Sequence, residues 1–127
     1  MIRHTLKALA CVVALAAAAG CGESEQEQAR EVVQDYAEAR ESGDFEAVCD
    51  LFSQSFVNEL QTDDCPAFIA EQTAGADGAE QIDVVDVRTS GDMATAELDV
   101  SSGSEGPSRI GLRLQLEDDE WRIVGVQ

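Results

Sequence analysis

Histidine and lysine are the scarcest reactive residues of this 127-residue sequence, which has one of each, His4 and Lys7, close to its start. From residue 8 onward the chain therefore has no imidazole and no side-chain amine. Their absence excludes Ser-His-Asp and Cys-His nucleophile systems, a histidine general base and lysine Schiff-base chemistry from that part. It also excludes zinc sites that need a histidine ligand.

Motifs for phosphate and metal recognition are missing as well. The sequence has no glycine-rich phosphate-binding loop, no Walker-type motif and no calcium-loop spacing. It therefore predicts no cofactor and no bound metal. What remains for catalysis is carboxylate and tyrosine chemistry, with Tyr36 as the single tyrosine.

Positive charge is scarce too: 8 lysine and arginine residues stand against 26 aspartate and glutamate residues, a formal net charge of −18. Such a surface repels nucleic acid and anionic lipid, so we expect no nucleic-acid partner. It favours cations or basic partners. Acidity that only maintains solubility, or that follows the host's proteome or a salty habitat, explains the same composition.

The first 20 residues have the parts of an export signal. A basic start is followed by an apolar run over residues 8–19, about 12 residues and too short to span a bilayer. Ala18-Ala19-Gly20-Cys21 comes next, and small residues before a cysteine resemble the lipobox of bacterial lipoproteins, with Ala18 in place of the usual Leu. The resemblance implies that Cys21 is lipidated and anchors the chain to the cell membrane on its extracytoplasmic side. In the alternative interpretation, an ordinary secretory signal is cleaved nearby and Cys21 is a plain thiol.

Cleavage before Cys21 divides the sequence into three segments. Residues 1–20 are the signal peptide, residues 21–28 are the lipidated cysteine and a short polar tether, and residues 29–127 are one domain. The exported chain keeps six basic residues against 26 acidic ones, a net charge near −20.

Four cysteines are present, and export assigns two of them. Cys11 leaves with the signal peptide, and Cys21 takes the lipid. Cys49 and Cys65 remain as a pair in an oxidising compartment, and we predict a disulfide that closes a loop of about 17 residues. The alternative is two buried free thiols.

Along the domain, the apolar spacing changes from a helical period to a period of two. A helix is predicted from Ala29 to the stop at Ser42-Gly43, and Asp44, Ser53 and Pro66 mark the starts of three more. Four strands follow, around residues 82–87, 93–100, 110–116 and 121–126. No helical segment separates them, so consecutive antiparallel hairpins are expected. The pattern predicts an α+β domain whose N-terminal helices pack on a curved four-stranded antiparallel sheet.

Residues 29–56 (AREVVQDYAEARESGDFEAVCDLFSQSF) resemble the opening of the nuclear transport factor 2-like superfamily, which includes ketosteroid isomerase and the SnoaL-like polyketide cyclases. The shared features are Tyr36, Gly43-Asp44-Phe45 and Leu51-Phe52. Residues 112–127 (LRLQLEDDEWRIVGVQ) resemble the superfamily's last hairpin. The resemblance implies a cystatin-like cone with a small-molecule pocket at its mouth. The paired cysteines and the lipobox resemble those of small lipoproteins of actinobacterial type.

The same resemblance indicates which residues form the site. The expected pocket lining is Tyr36, Phe52, Phe56 and Trp121. Tyr36 matches the tyrosine that donates a hydrogen bond to the oxyanion in ketosteroid isomerase. The matching base falls near Leu60, and the second oxyanion acid falls near Trp121, so two of the three catalytic positions are unmatched. Tyr36 is thus the one catalytic candidate, with a core or pocket-lining role as its alternative.

The anchor and the missing catalytic residue types favour a non-enzymatic function. We expect a membrane-tethered binding or interaction module, with a small apolar ligand in the cone or a partner on the exposed sheet face. The alternative is an isomerase or cyclase of SnoaL-like type that uses Tyr36 and a carboxylate. A homodimer through the sheet face is a further partner prediction. Arg109 and Arg113 share one strand face and are expected to pair with local carboxylates, unless that face lines the cone.

Overall fold

The computed structural model describes residues 24–73, 80–102 and 105–127, and these residues form four helices followed by four strands. The helices are α1 (Glu25–Ser42), α2 (Phe45–Asp50), α3 (Gln54–Glu59) and α4 (Cys65–Thr73). The strands are β1 (Glu80–Ser90), β2 (Met93–Ser102), β3 (Glu105–Glu117) and β4 (Glu120–Val126). They form one antiparallel sheet in chain order, which confirms the predicted fold class. The predicted signal peptide and the lipidated Cys21 lie outside the described residues.

The long helix α1 begins earlier than predicted, at Glu25 rather than Ala29, within the segment interpreted as a tether. Ser24 caps it by accepting a hydrogen bond from the Glu27 amide at 3.1 Å. Glutamates in the first turn also interact favourably with the positive end of the helix dipole. Gly43 ends the helix with a left-handed backbone (φ 76°), as the Ser-Gly stop predicted. None of the described helices has the length and apolar character to cross a membrane.

Two of the three short helices, α2 and α3, begin at the predicted caps, and α4 begins after Asp64, which was not predicted as a cap. The side chains of Asp44 and Ser53 each accept a hydrogen bond from the amide three residues on, both at 3.1 Å. Asp64 does the same for α4 at 3.2 Å. Pro66 lies in the first turn of α4, where its missing N–H costs little.

The core lies between α1 and the inner face of the sheet. Its buried side chains include Ala29, Val33, Tyr36 and Ala37 from α1, and Ile82, Val87, Ala94, Ala96, Leu98, Leu112, Leu114 and Ile123 from the strands. The strand residues alternate along β2 and β3, as the period of two predicted. The helices therefore cover one face of the sheet and leave the other to solvent.

Bulges interrupt the register on both outer strands. Val84 pairs with Leu98 and Asp86 with Glu97, so Val85 is an extra residue in β1 and lies 45% exposed. A second irregularity interrupts the pairing of β3 with β4. Because bulges bend and twist a strand, they curve the sheet around the helices.

Both edges of the sheet are covered. The side chains of Gln26 and Glu41 on α1 bond to the backbone of β1 at Val87 and Ile82, at 2.8 and 3.0 Å. At the other edge, the α2–α3 connection forms a parallel bridge to Ile123 through two backbone bonds of 2.9 Å. These contacts occupy edge groups that would otherwise template strand addition, and they fix the helices relative to the sheet.

The two arginines of β3 lie on the outer face of the sheet, away from the helices. Arg109 pairs with Asp99 at 2.7 Å and with Glu97 at 3.2 Å, as predicted. Arg113 lies over Gly125, where an added Cβ would come within 2.6 Å of its guanidinium. This face is polar and does not line the cone. The homodimer through it stays a prediction.

Candidate functional site

A cavity of about 490 Å³ lies where α1, α3 and α4 meet the middle of β3 and the C-terminal end of β4. It is lined by Tyr36, Arg40, Phe52, Phe56, Leu60, Phe68, Ile69, Gln72, Thr73, Ile110, Val126 and Gln127. Seven of these side chains are aliphatic or phenyl groups, so the wall is mainly apolar. The superfamily resemblance implied a small-molecule pocket at the mouth of a cone, and this cavity is the candidate for it.

Three of the four residues predicted to line the pocket meet in this cavity: Tyr36, Phe52 and Phe56. The Phe52 and Phe56 rings pack edge to face, with centroids 4.9 Å apart. Leu60, near which the superfamily resemblance placed the catalytic base of ketosteroid isomerase, also lines the cavity. An aliphatic side chain there cannot abstract a proton.

Trp121 is the exception, because the structure places it at the other end of β4. It pairs with Leu116 beside the β3–β4 turn, whereas Val126 at the cavity pairs with Leu112. Val126 lies five positions after Trp121 along the strand, about 16 Å away. Trp121 instead lies against α1, lining a surface depression of about 270 Å³ with Val32. Its indole N–H is buried and bonds to no described residue.

Tyr36 and Arg40 of the cavity wall form a polar cluster with Glu80, which is not itself a lining residue. The Arg40 Nη1 atom donates to the Tyr36 hydroxyl at 2.8 Å. The Nε and Nη2 atoms of Arg40 donate to the two carboxylate oxygens of Glu80, both at 3.0 Å. The side chains of Arg40 and Glu80 are only 16% and 11% exposed. A bidentate pair so shielded from water fixes the guanidinium against the phenol.

Neither Arg40 nor Glu80 was among the predicted site residues. The available signal was the i, i+4 spacing of Tyr36 and Arg40, which puts them on one face of α1. Glu80 joins them across 40 residues of sequence, at the first position of β1. Local spacing gives no sign of that contact.

Burial raises the pKa of the Tyr36 hydroxyl above its ordinary value, although the Arg40 charge and hydrogen bond act in the opposite direction. For Arg40, burial acts to lower the pKa, but Tyr36 and Glu80 together raise it. At neutral pH the cluster therefore holds a neutral phenol and one balanced ion pair. Because the Tyr36 hydroxyl oxygen accepts a hydrogen bond from Arg40, the hydroxyl proton remains available to donate a hydrogen bond to a ligand.

This pKa shift predicts how the single tyrosine titrates. Tyrosinate absorbance should appear with a midpoint above pH 10, and above that of the chain in denaturant. The folded pKa exceeds the unfolded one, so this contribution to stability is complete below pH 10 and is lost as pH rises through the folded pKa. A near-ultraviolet pH titration measures the midpoint directly. A folded midpoint at or below the denatured one would contradict the burial argument.

The predicted disulfide is present. Cys49 of α2 and Cys65 at the start of α4 are bonded, with their Cα atoms 6.2 Å apart. Cys65 is the only residue of α4 that is fully buried. The disulfide therefore holds in place the helix that carries Phe68, Ile69, Gln72 and Thr73 of the cavity wall.

A polar depression of about 400 Å³ lies beside the β3–β4 turn. Asp50, Glu117, Asp118 and Glu120 contribute carboxylates to it. Arg122 pairs there with Glu120 at 2.6 Å. Within residues 24–73, 80–102 and 105–127, no three histidine, cysteine or acidic side chains are arranged to hold a metal ion.

Comparison with models of protein families and with curated protein sequences finds no match. Solved structures do match. An NTF2-like protein of unknown function from Shewanella baltica OS155 has a TM-score of 0.54 at 15% identity, over 80% of this chain and 90% of its own. A proposed ketosteroid isomerase from Kribbella flavida has a TM-score of 0.53 at 17% identity, over 81% and 77%. A de novo designed protein with a curved β-sheet has a TM-score of 0.53 at 20% identity, over 77% and 95%. At these identities the likeness concerns architecture alone, and the chain has the NTF2-like α+β cone fold.

Proposed function

We propose that this domain is a membrane-tethered binding module that takes a small, mainly apolar ligand in the cavity between α1, α3 and α4. The observation that carries the proposal is the cavity itself, about 490 Å³ and largely apolar, with Tyr36 among the residues of its wall. Small-molecule sites have volumes of about 300–1,000 Å³ and combine apolar walls with a few placed polar groups. The cavity fits that description.

The cavity wall indicates how a ligand would lie. Its apolar body would pack against phenyl and aliphatic groups, including Phe56, Leu60 and Ile110. An oxygen at its other end would accept a hydrogen bond from the Tyr36 hydroxyl, which Arg40 holds in position. Burial of the apolar body would supply most of the affinity, and the hydrogen bond would orient the ligand.

The anchor would keep the site next to the membrane. Cys21 lies three residues before Ser24, the cap of α1, and three residues span at most about 11 Å.

We expect the native protein in the membrane fraction with a lipid on Cys21 at its N-terminus. We expect a Cys21→Ser variant to be lost from that fraction. Mass spectrometry of the intact protein makes the measurement, and Met1 retained on cytosolic protein would contradict export.

The alternative, an isomerase or cyclase, needs a carboxylate that can act as a base near Tyr36. Among the described residues that line the cavity, no side chain is a carboxylate. Both oxygens of the nearby Glu80 accept hydrogen bonds from Arg40. An engaged carboxylate is a poor proton acceptor, so the geometry favours binding over catalysis.

The binding proposal is tested with a neutral aromatic ketone, 2-acetylnaphthalene, and the exported chain carrying Cys21→Ser so that no lipid competes. Calorimetry should show saturable binding. Leu60→Trp should weaken it by about tenfold or more, because the larger side chain fills the cavity. The matched control is Val85→Trp, at an exposed position of β1 away from the cavity. Equal effects of both variants, or no saturable binding, would contradict the proposal.

A further inference from the structure

We infer that the Arg40–Glu80 pair makes the cavity selective for uncharged ligands over carboxylates, and that Glu80 is the residue that sets this selectivity. The inference rests on the proposed function, because it names the chemical class that the same cavity takes. A neutral ligand with one acceptor oxygen, such as a ketone, ester or alcohol, is the class that fits.

Arg40 is the only basic side chain among the described residues of the cavity wall. An arginine in such a position ordinarily favours carboxylate ligands, because its planar donor array matches the two oxygens. Here Glu80 already makes that bidentate contact, with each of its carboxylate oxygens 3.0 Å from an Arg40 nitrogen. The protein thus supplies its own carboxylate to the guanidinium.

The charge of the Arg40–Glu80 pair explains why a carboxylate ligand is disfavoured. The Arg40–Glu80 pair is neutral as a unit, and its two side chains are shielded from water at 16% and 11% exposure. A ligand carboxylate beside it would add a second negative charge close to Glu80, with little solvent to screen the repulsion. The strong acidity of the whole chain acts in the same direction. A neutral ligand accepts the Tyr36 hydrogen bond without that cost.

Glu80→Gln should therefore change the ligand class. The amide keeps the side chain's size and one acceptor oxygen for Arg40, but it removes the negative charge and leaves the guanidinium uncompensated. A carboxylate ligand would then restore neutrality to the site. Its affinity should rise by about tenfold or more, whereas the affinity for a neutral ligand should change by less than about threefold.

Two probes with the same ring system test the inference by calorimetry: 2-acetylnaphthalene, a neutral ketone, and 2-naphthoate, a carboxylate. The wild-type protein should bind the ketone at least about tenfold more tightly than the naphthoate. In E80Q the two affinities should become equal, or the naphthoate should bind more tightly. Glu97→Gln is the matched control, because it removes the same charge from the Arg109 pair on the outer sheet face. It should leave the ratio unchanged.

Wild-type protein that binds both probes equally well, or prefers the naphthoate, would overturn the inference and leave the proposed function standing. Equal shifts in E80Q and E97Q would also overturn it, because overall charge would then be the cause. If neither probe binds, the proposed function fails and the inference fails with it. If E80Q does not fold, the wild-type ratio still tests the inference, because equal binding or a preference for the naphthoate overturns it without any variant.

Discussion

Replacing Cys49 and Cys65 together with serine should lower the free energy of unfolding by about 3 kcal/mol. The two residues lie 16 positions apart, and their bond restricts the unfolded chain by closing the loop that contains α3. For a small domain this is a large share of the total stability. Urea denaturation of the wild-type and double-variant proteins measures the difference. Reduced wild-type protein is the control, and it should unfold at the same denaturant concentration as the variant.

In the double serine variant, the loss of stability should be concentrated in α4. Apart from Cys65, this helix has only half-buried or exposed residues, so few other contacts hold it on the domain. Amide exchange in α4 should accelerate more than exchange in β2 and β3, which carry the most deeply buried side chains. The affinity for 2-acetylnaphthalene should fall as well, because four of the residues that line the cavity belong to α4. Uniform acceleration across the whole domain would show that α4 is not specially dependent on the disulfide.

Replacing Arg40 with methionine should destabilise the domain by about 3–5 kcal/mol. Methionine fills much of the same space, but it leaves the Glu80 carboxylate shielded from water without a partner. It also removes the donor to the Tyr36 hydroxyl. Thermal and urea denaturation measure the change. Adding Glu80→Leu to Arg40→Met should recover most of the loss, because an apolar pair needs no charge compensation.

The outer sheet face offers the matched control for this second prediction. Arg109 forms comparable ion pairs, but its side chain is 54% exposed. Arg109→Met should therefore cost no more than about 1 kcal/mol. If the two arginine variants lose the same stability, burial of the Arg40 pair contributes little. Failure of the double variant to recover would instead indicate that shape, rather than charge, holds this end of the cavity.

Local chemistry predicted much of the fold. Asp44, Ser53 and Gly43 lie where the sequence indicated helix boundaries, because capping depends on atoms within three or four residues. The alternation of apolar and polar residues in β2 and β3 predicted which face of the sheet is buried. That prediction is also local, because the backbone of a strand sets its period of two. The apolar spacing indicated α1 only from Ala29, four residues after its start at Glu25. Its first turn is polar, so apolar spacing alone does not reveal it.

The candidate site was predictable only in part. Tyr36, Phe52 and Phe56, three of the four residues that the superfamily resemblance named, line the same cavity. Trp121 does not join them, because its place along β4 depends on the register of that strand with β3. Arg40 and Glu80, which form the polar cluster with Tyr36, were not predicted at all. Their contact joins a helix to a distant strand, and no local pattern encodes it.

The order of helices and strands, the acidic composition and the absence of histidine and lysine chemistry after residue 8 follow from the sequence, because they depend on composition or on neighbours along the chain. The sequence also left Cys49 and Cys65 as the pair that the structure joins. Which side chains meet around the cavity depends on tertiary packing. Packing brings together residues 40 positions apart, and the exclusion of water there makes the Arg40–Glu80 pair and the Tyr36 hydroxyl the chemically distinctive groups of this protein.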